Sequence, residues 1–528
     1  MTTRTASVRI VSGLALLGLM VWAQQQSEGE WSPRLILDVV DAETGKPTAA
    51  RFSLSIDGVE HAPSWVGPHG WRFVSVHVSK RQTFVVTYTR GTGPVEIPLR
   101  PGARSVEIGV VKGFDYVPVR QTTAIDREST PVRVEMRRWN RLEEEGWRAA
   151  DPHLHYDRIR PEGDPDWLDA MSGDGLTHAQ FLVLKGGMAP GVWANQFAYG
   201  RRGEGTRDEK IIVAGEEYRD QLQGHLLLFG LGDIIHPIMA GTAESPHNWP
   251  PSVDVLNRSR QSGGIAGAAH GGTLGQSPTV IADALLGALD FMELGNLFLW
   301  QPEKNWYPLL NCGYILPPTA GSDLPNVPYR DWWQPFLGSI RTYVKTAGAK
   351  GSGAWNAALK RGDVFVSSGP LVRISVNQAG PGGRIELPPG GGEVEVHAVL
   401  ESLRPMRNLE LIQNGQVVAS AGPGEKRLEI RTKLRIGSSS WLAARGTGAP
   451  LPAMKQDEVA HTGAVQVIAG GRRIWASQEA ARLSKALAQQ KEFYRGAGRY
   501  AREQDRQAML AIFDRAMEEL VQKARQLE

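Results

Sequence analysis

The sequence predicts a multidomain protein in which two β-modules flank an α/β core and a helical tail follows. Three observations carry this. From Trp31 to about Arg138, short alternating apolar runs are broken by turn residues, with little helical periodicity. After Trp147, β-type runs alternate with longer segments suited to helices, the texture of α/β architecture. From about Val364 the β texture returns, and Gln478 to Glu528 reads as helix. A chain of 528 residues is also too long for a single core. The resulting divisions are 1–23, 30–140, 147–363, 364–476 and 477–528.

The first segment has the layout of a secretory signal peptide. Arg4 and Arg9 precede the apolar run Ile10 to Met20, and Val21-Trp22-Ala23 offers a small residue at the cut. The apolar run is short for a membrane span of ~20 residues. The chain is therefore expected to be exported, to a periplasm or beyond the cell, with no membrane span left after cleavage. With 59 basic against 56 acidic residues the formal charge is +3, which argues for neither nucleic acid nor a membrane surface as partner. The single cysteine, Cys312, excludes an intrachain disulfide framework and reads as a small buried hydrophobe.

In the first β-module the strand candidates are Leu35 to Val40, Phe52 to Ile56, Phe84 to Tyr88, Ser105 to Val110 and Val132 to Met136, together a β-sandwich. The turn around Asp41-Ala42-Glu43-Thr44-Gly45-Lys46-Pro47 resembles that of the carboxypeptidase-regulatory-like repeat. In the core they are Phe181 to Leu184, Ile211 to Ala214, Leu226 to Phe229, Ile265 to Ala269, Leu289 to Glu293 and Thr319 to Gly321. The second β-module holds a hairpin with an Asn414-Gly415 turn. In the tail, Ile512, Phe513, Ala516, Met517, Leu520, Val521 and Ala524 form one apolar stripe, and Gly496 and Gly498 divide two helices.

Chemistry concentrates in the core. In Asp151-Pro152-His153-Leu154-His155, the two histidines lie one residue apart on an extended run and so face one side, as a pair gripping one cation would. Seven of the twelve histidines fall between positions 153 and 270. Glu217 and His225 frame a strand–turn–strand unit, His270 ends another strand, and Asp323 ends a later one. Imidazole and carboxylate donors without thiolate suit zinc, manganese or iron in an open site. His178, placed on a helix ahead of its strand, the loop residues His236 and His247, and His461 in the second β-module stand outside this set.

These stretches, with Gly215-Glu216-Glu217, Gly224-His225, Ala269-His270, Ala320-Gly321-Ser322-Asp323 and Ser368-Gly369-Pro370, resemble the polymerase-and-histidinol-phosphatase (PHP) superfamily, and within it the CehA/McbA-type metallohydrolases. The resemblance covers roughly Trp147 to Val376. It implies a distorted (β/α)7 barrel with a metal cluster at the carboxyl ends of its strands. It implies one ion held by His153, His155, Glu217 and Asp323, and a second sharing Glu217 and taking His225 and His270. The family's third-ion residues are missing: Lys185-Gly186-Gly187 stands where the family has T-D-H, and Asp323-Leu324-Pro325 where it has D-x-H. The family glutamate falls two residues after the glycine, which selects Glu217 and leaves Glu216 as a surface or supporting residue. Glu293 is a further acidic residue at a strand end, with a supporting or structural role. Lys185 is either a solvated lysine at a strand end or an ammonium filling the third cation's position. The implied activity is hydrolysis of an ester, carbamate or phosphoester in a small-molecule substrate by a hydroxide bridging two ions. The alternative is a catalytically silent scaffold in an exported carbohydrate- or surface-binding protein.

Overall fold

The computed structural model describes residues 33–77, 82–186, 191–296, 299–325, 332–451 and 456–526. The signal-peptide stretch 1–23 and Gly187 lie outside them. The chain is β-rich and ends in two helices, Ser477–Ala497 and Glu503–Arg525.

Residues 34–136 form two sheets. One has three strands, with Arg34–Asp41 between Val95–Pro98 and Ser129–Met136; the other has six, centred on Ala49–Ile56. Alternation along Ser129–Met136, exposed then buried throughout, puts Val132, Val134 and Met136 into a core with Leu35, Leu37, Phe52 and Ile108. This module is keyed to the next one. Tyr88 donates to Asp174 at 2.6 Å, and Arg90 holds both Asp166 (2.6 Å) and Asp169.

In the central region a run of seven strands returns on itself through an isolated bridge, and Arg341–Lys345 also pairs antiparallel with the first of them. Trp147–Leu154, His178–Lys185 and Lys210–Asp220 run parallel, Gly224–Phe229 returns antiparallel, and Ile265–Ala268, Phe291–Gly295 and Pro318–Ala320 complete the run. The last strand's extension meets the first. A parallel bridge joins Leu154 to Leu324, His155 N–H donates to Leu324 C=O at 2.7 Å, and Asp323 N–H donates to His153 C=O at 2.8 Å. Asp151 pins this closure. Its carboxylate accepts from Ser322 N–H (3.0 Å), Ser322 hydroxyl (2.6 Å), Gly338 N–H (2.6 Å) and, more weakly, His153 N–H (3.3 Å). Gly321 is required here for a steric reason, since a Cβ at that position would lie 2.4 Å from His153 Cβ.

Several details differ from the sequence reading. The strand–turn–strand unit around Glu217 and His225 is a hairpin with only three residues between Lys210–Asp220 and Gly224–Phe229, and it interrupts the strand–helix alternation of the region. Asp220 folds that turn by accepting from the N–H groups of Leu222 (2.7 Å) and Gln223 (2.9 Å). The strand carrying Glu217 runs on to Asp220 instead of ending at the glutamate. His178 opens a strand and is not helical. No clean break falls at 364, because Val364–Ser367 pairs with Arg341–Lys345 on one side and Gln456–Thr462 on the other, carrying one sheet into the second β-module.

The tail packs on the central module. Its last helix buries Met509, Leu510, Ile512, Phe513, Ala516 and Leu520, while Val521 is exposed, so the apolar stripe is rotated towards the amino end of the predicted one. Tyr494 hydroxyl donates to Ser277 C=O at 2.8 Å. Asn248 N–H donates to Arg499 C=O at 2.8 Å, and its amide donates to Asp220 at 3.0 Å. The tail therefore braces the turn ahead of His225.

Replacing Asp151 with Ala would leave several buried donors without an acceptor, each costing about 1–3 kcal/mol. Asp151→Ala is expected to lower the denaturant midpoint followed by near-ultraviolet circular dichroism, with a loss of about 3 kcal/mol or more. An unchanged midpoint would show that the ring closes without this carboxylate.

Candidate metal centre

Strand ends on the ring bring the six predicted ligands together. Glu217 lies at the centre and offers its two oxygens to two groups. Oε2 is 3.4 Å from His155 Nε2 and 3.9 Å from His153 Nε2, and Asp323 Oδ1 lies 3.3 and 3.7 Å from the same two nitrogens. Oε1 is 3.0 Å from His225 Nδ1 and 3.3 Å from His270 Nε2. Donor bonds of ~2.0–2.1 Å in a tetrahedral shell imply donor–donor edges of roughly 3.3–3.4 Å; three of the six spacings match this, and the others lie within 0.6 Å of it.

Three of these nitrogens, His153 Nε2, His155 Nε2 and His225 Nδ1, are buried and make no hydrogen bond among the described residues. An orphaned buried polar atom is costly and native structures keep few of them. Three such atoms on the two sides of one carboxylate fit cations as their missing partners, and the buried groups could hold a metal ion.

Surrounding groups set the direction of each ring. His153 Nδ1 lies 2.9 Å from Glu293 Oε1 and His155 Nδ1 lies 2.9 Å from Leu182 C=O, which turns both Nε2 atoms inward. Glu293 Oε2 also accepts from His270 N–H at 2.8 Å, so this buried carboxylate spans two ligand positions. Asn296 Nδ2 contacts His270 Nδ1 (3.0 Å) and donates to Asp323 Oδ2 (2.9 Å). A proton on His270 Nδ1 would instead face Glu293 Oε2 at 3.5 Å, freeing Nε2 as a donor.

The backbone is strained at two of the ligands. His270 and Asp323 have φ of 53° and 55°, a left-handed conformation that costs a non-glycine residue roughly 1–2 kcal/mol. Both sit where a strand is cut short so that the side chain turns into the ring.

Electrostatics favours positive charge here. Burial alone would lower the pKa of His153, but the negative charges of Glu293 and Asp323 outweigh it and hold the imidazole well above its usual value. Burial would raise the carboxyl of Glu217, yet Arg219 and His225 keep it well below the usual range. Burial pushes His225 down to about 4, so it is neutral with a lone pair to donate at ordinary pH.

Glu216 faces the other side of its strand, as the period of two demands, but it is not at the surface. It is fully buried, accepts from Ile235 N–H at 2.8 Å, and burial raises its pKa to about 8. Lys185 reaches outward and pairs with the exposed Glu244, so among its contacts with described residues none reaches the cluster. The cation beside the cluster is instead Arg219, whose Nε and Nη2 donate to Glu217 Oε2 at 3.0 and 2.6 Å. Arg219 lies two residues beyond Glu217 on the same strand, so the alternation that selects Glu217 over Glu216 also selects it. Asn296 has no comparable local signal, because its role depends on two residues far apart in sequence.

Comparisons with protein-family models, with curated proteins and with solved structures found no match.

Since Glu217 serves both groups, Glu217→Gln is expected to weaken divalent-ion uptake at both, measured by equilibrium dialysis and elemental analysis, by at least ~10-fold. Glu216→Gln is expected to leave uptake intact. Equal losses in the two variants would show that the strand faces are assigned the wrong way round.

Proposed function

We propose that the chain is an exported metal-dependent hydrolase of the PHP type, akin to the CehA/McbA-type enzymes, acting on an ester, carbamate or phosphoester. The observation that carries this reading is the divided use of Glu217, with Oε2 towards His153, His155 and Asp323 and Oε1 towards His225 and His270. The seven-strand ring with its donors at strand ends supports it, since barrels of this kind assemble their active sites there.

Two divalent ions in these groups, as zinc, manganese or iron, would supply Lewis acidity and acidify water near neutral pH. The chain's own part is to hold the donors ready. Glu293 and the Leu182 carbonyl occupy the outer nitrogens of His153 and His155, leaving the inner lone pairs free. Asn296 holds Asp323 from behind, and Arg219 fixes Glu217. Of the ligand side chains His225 is the most open to solvent, at 21% exposed, although its Nδ1 is buried. Substrate reaches the ligands from that side. Trp193, with its ring 5.6 Å from that of His155, offers an apolar wall nearby.

The export part of the reading rests on the amino-terminal sequence, in which Arg4 and Arg9 precede the apolar run. Among the described residues no helix is long and apolar enough to cross a membrane.

The purified chain is expected to bind about two equivalents of divalent ion and to hydrolyse 4-nitrophenyl esters or bis(4-nitrophenyl) phosphate. Chelation should abolish turnover, and re-addition of zinc or manganese should restore it. Stoichiometric ions with no turnover across a broad ester and phosphoester screen would favour a silent scaffold. Turnover indifferent to chelation would contradict the reading.

A further inference from the structure

Arg219 stands in an unusual place for a buried cation. Its guanidinium lies against the one carboxylate oxygen that also faces His153 and His155, and its side chain is 7% exposed. The fork is only half used. Nε and Nη2 both go to Glu217 Oε2, and Nη1 makes no hydrogen bond among the described residues. The backbone holds the residue firmly, with its N–H donating to Ile238 C=O at 3.2 Å and its Cα paired across the hairpin with that of His225. Directly paired residues of an antiparallel hairpin share a face. Arg219 and His225 therefore stand side by side, and together with Asp323 (7% exposed) they are the most exposed parts of the cluster.

We propose that Arg219 selects an anionic substrate, receiving a non-bridging oxygen of a singly charged phosphodiester on Nη1 while Glu217 keeps the rest of the guanidinium in place. This rests on the hydrolase reading and narrows it. Two physical arguments support it. A guanidinium presents five N–H donors in one plane, so an edge can bind a carboxylate while the remaining donors bind a second anion, which a lysine ammonium does less well. The local charge also calls for an anion once ions are bound. Glu217, Asp323 and Glu293 are the acids of the cluster and Arg219 its fixed cation, so two divalent ions leave a net positive site. The charge that Lys185 cannot bring, being engaged with Glu244, is supplied by Arg219 from the neighbouring strand.

The test uses the zinc-loaded full chain with two readouts. Turnover is compared on bis(4-nitrophenyl) phosphate, an anion, and on 4-nitrophenyl acetate, which is neutral and shares the leaving group. Binding of diethyl phosphate, a hydrolysis-resistant monoanionic diester, is measured by calorimetry. Arg219→Met is expected to lower kcat/KM for the phosphodiester at least ~10-fold more than for the acetate, chiefly through KM, and to weaken diethyl phosphate at least ~10-fold. Equal losses on the two substrates, or unchanged diethyl phosphate binding, would reduce Arg219 to a brace for Glu217 and overturn the proposal. Should Arg219→Met fail to fold or to retain zinc, Arg219→Lys decides, because it keeps the charge beside Glu217 but loses the planar fork. Its preference for the phosphodiester should fall several-fold, and an undiminished preference would overturn the proposal. Diethyl phosphate binding that depends on Arg219 in a wild-type chain hydrolysing neither compound would refute the hydrolase reading alone. Hydrolysis of both with no dependence of preference on Arg219 would refute this proposal alone.

Discussion

The closure of the strand ring between residues 151–155 and 322–324 is the constraint on which the rest of the centre depends. Asp323 N–H donates to His153 C=O and His155 N–H to Leu324 C=O, so two segments about 170 residues apart run side by side. The same pairing that closes the ring puts Asp323 opposite the histidine pair. It forces Asp323 into a left-handed conformation and demands a glycine at 321, because any side chain there would strike His153. Asp151 binds the two segments from beneath, buried and well supplied with donors. Stability and function are thus joined in one hydrogen-bonded seam.

Away from the seam, the hairpin from Lys210 to Phe229 contributes the remaining centre. Its one inward face carries Glu217, Arg219 and His225, and its turn is fixed by Asp220. The helical tail reaches this turn through Arg499 and Asn248. This gives a physical reason for the tail's position: it stiffens the element that supplies three of the charged or ligating groups, although it contributes no ligand itself.

Much of this was legible in the sequence because it depends on local periodicity. His153 and His155 share a face by spacing alone, and Glu217 is separated from Glu216 by the same rule, which extends unused to Arg219. The short apolar runs marked the strands of the central region, with ends misjudged by a few residues, as at Phe291–Gly295 and Lys210–Asp220. What could not be read depends on distant partners. The direction of Lys185 is decided by Glu244, 59 residues away, and a flexible four-carbon stem gives no local hint. The continuity of the sheet past Val364 depends on pairing with Gln456–Thr462. Burial of Glu216 follows from a loop folding its Ile235 N–H over the carboxylate.

The central claim is that one carboxylate, Glu217, joins two cation sites. Anomalous diffraction from crystals of the chain loaded with zinc or manganese tests it most directly. The account predicts two anomalous peaks on either side of Glu217, one among His153, His155 and Asp323 and the other beside His225 and His270. A single peak remote from Glu217, or no peak within this cluster at saturating ion, would contradict it.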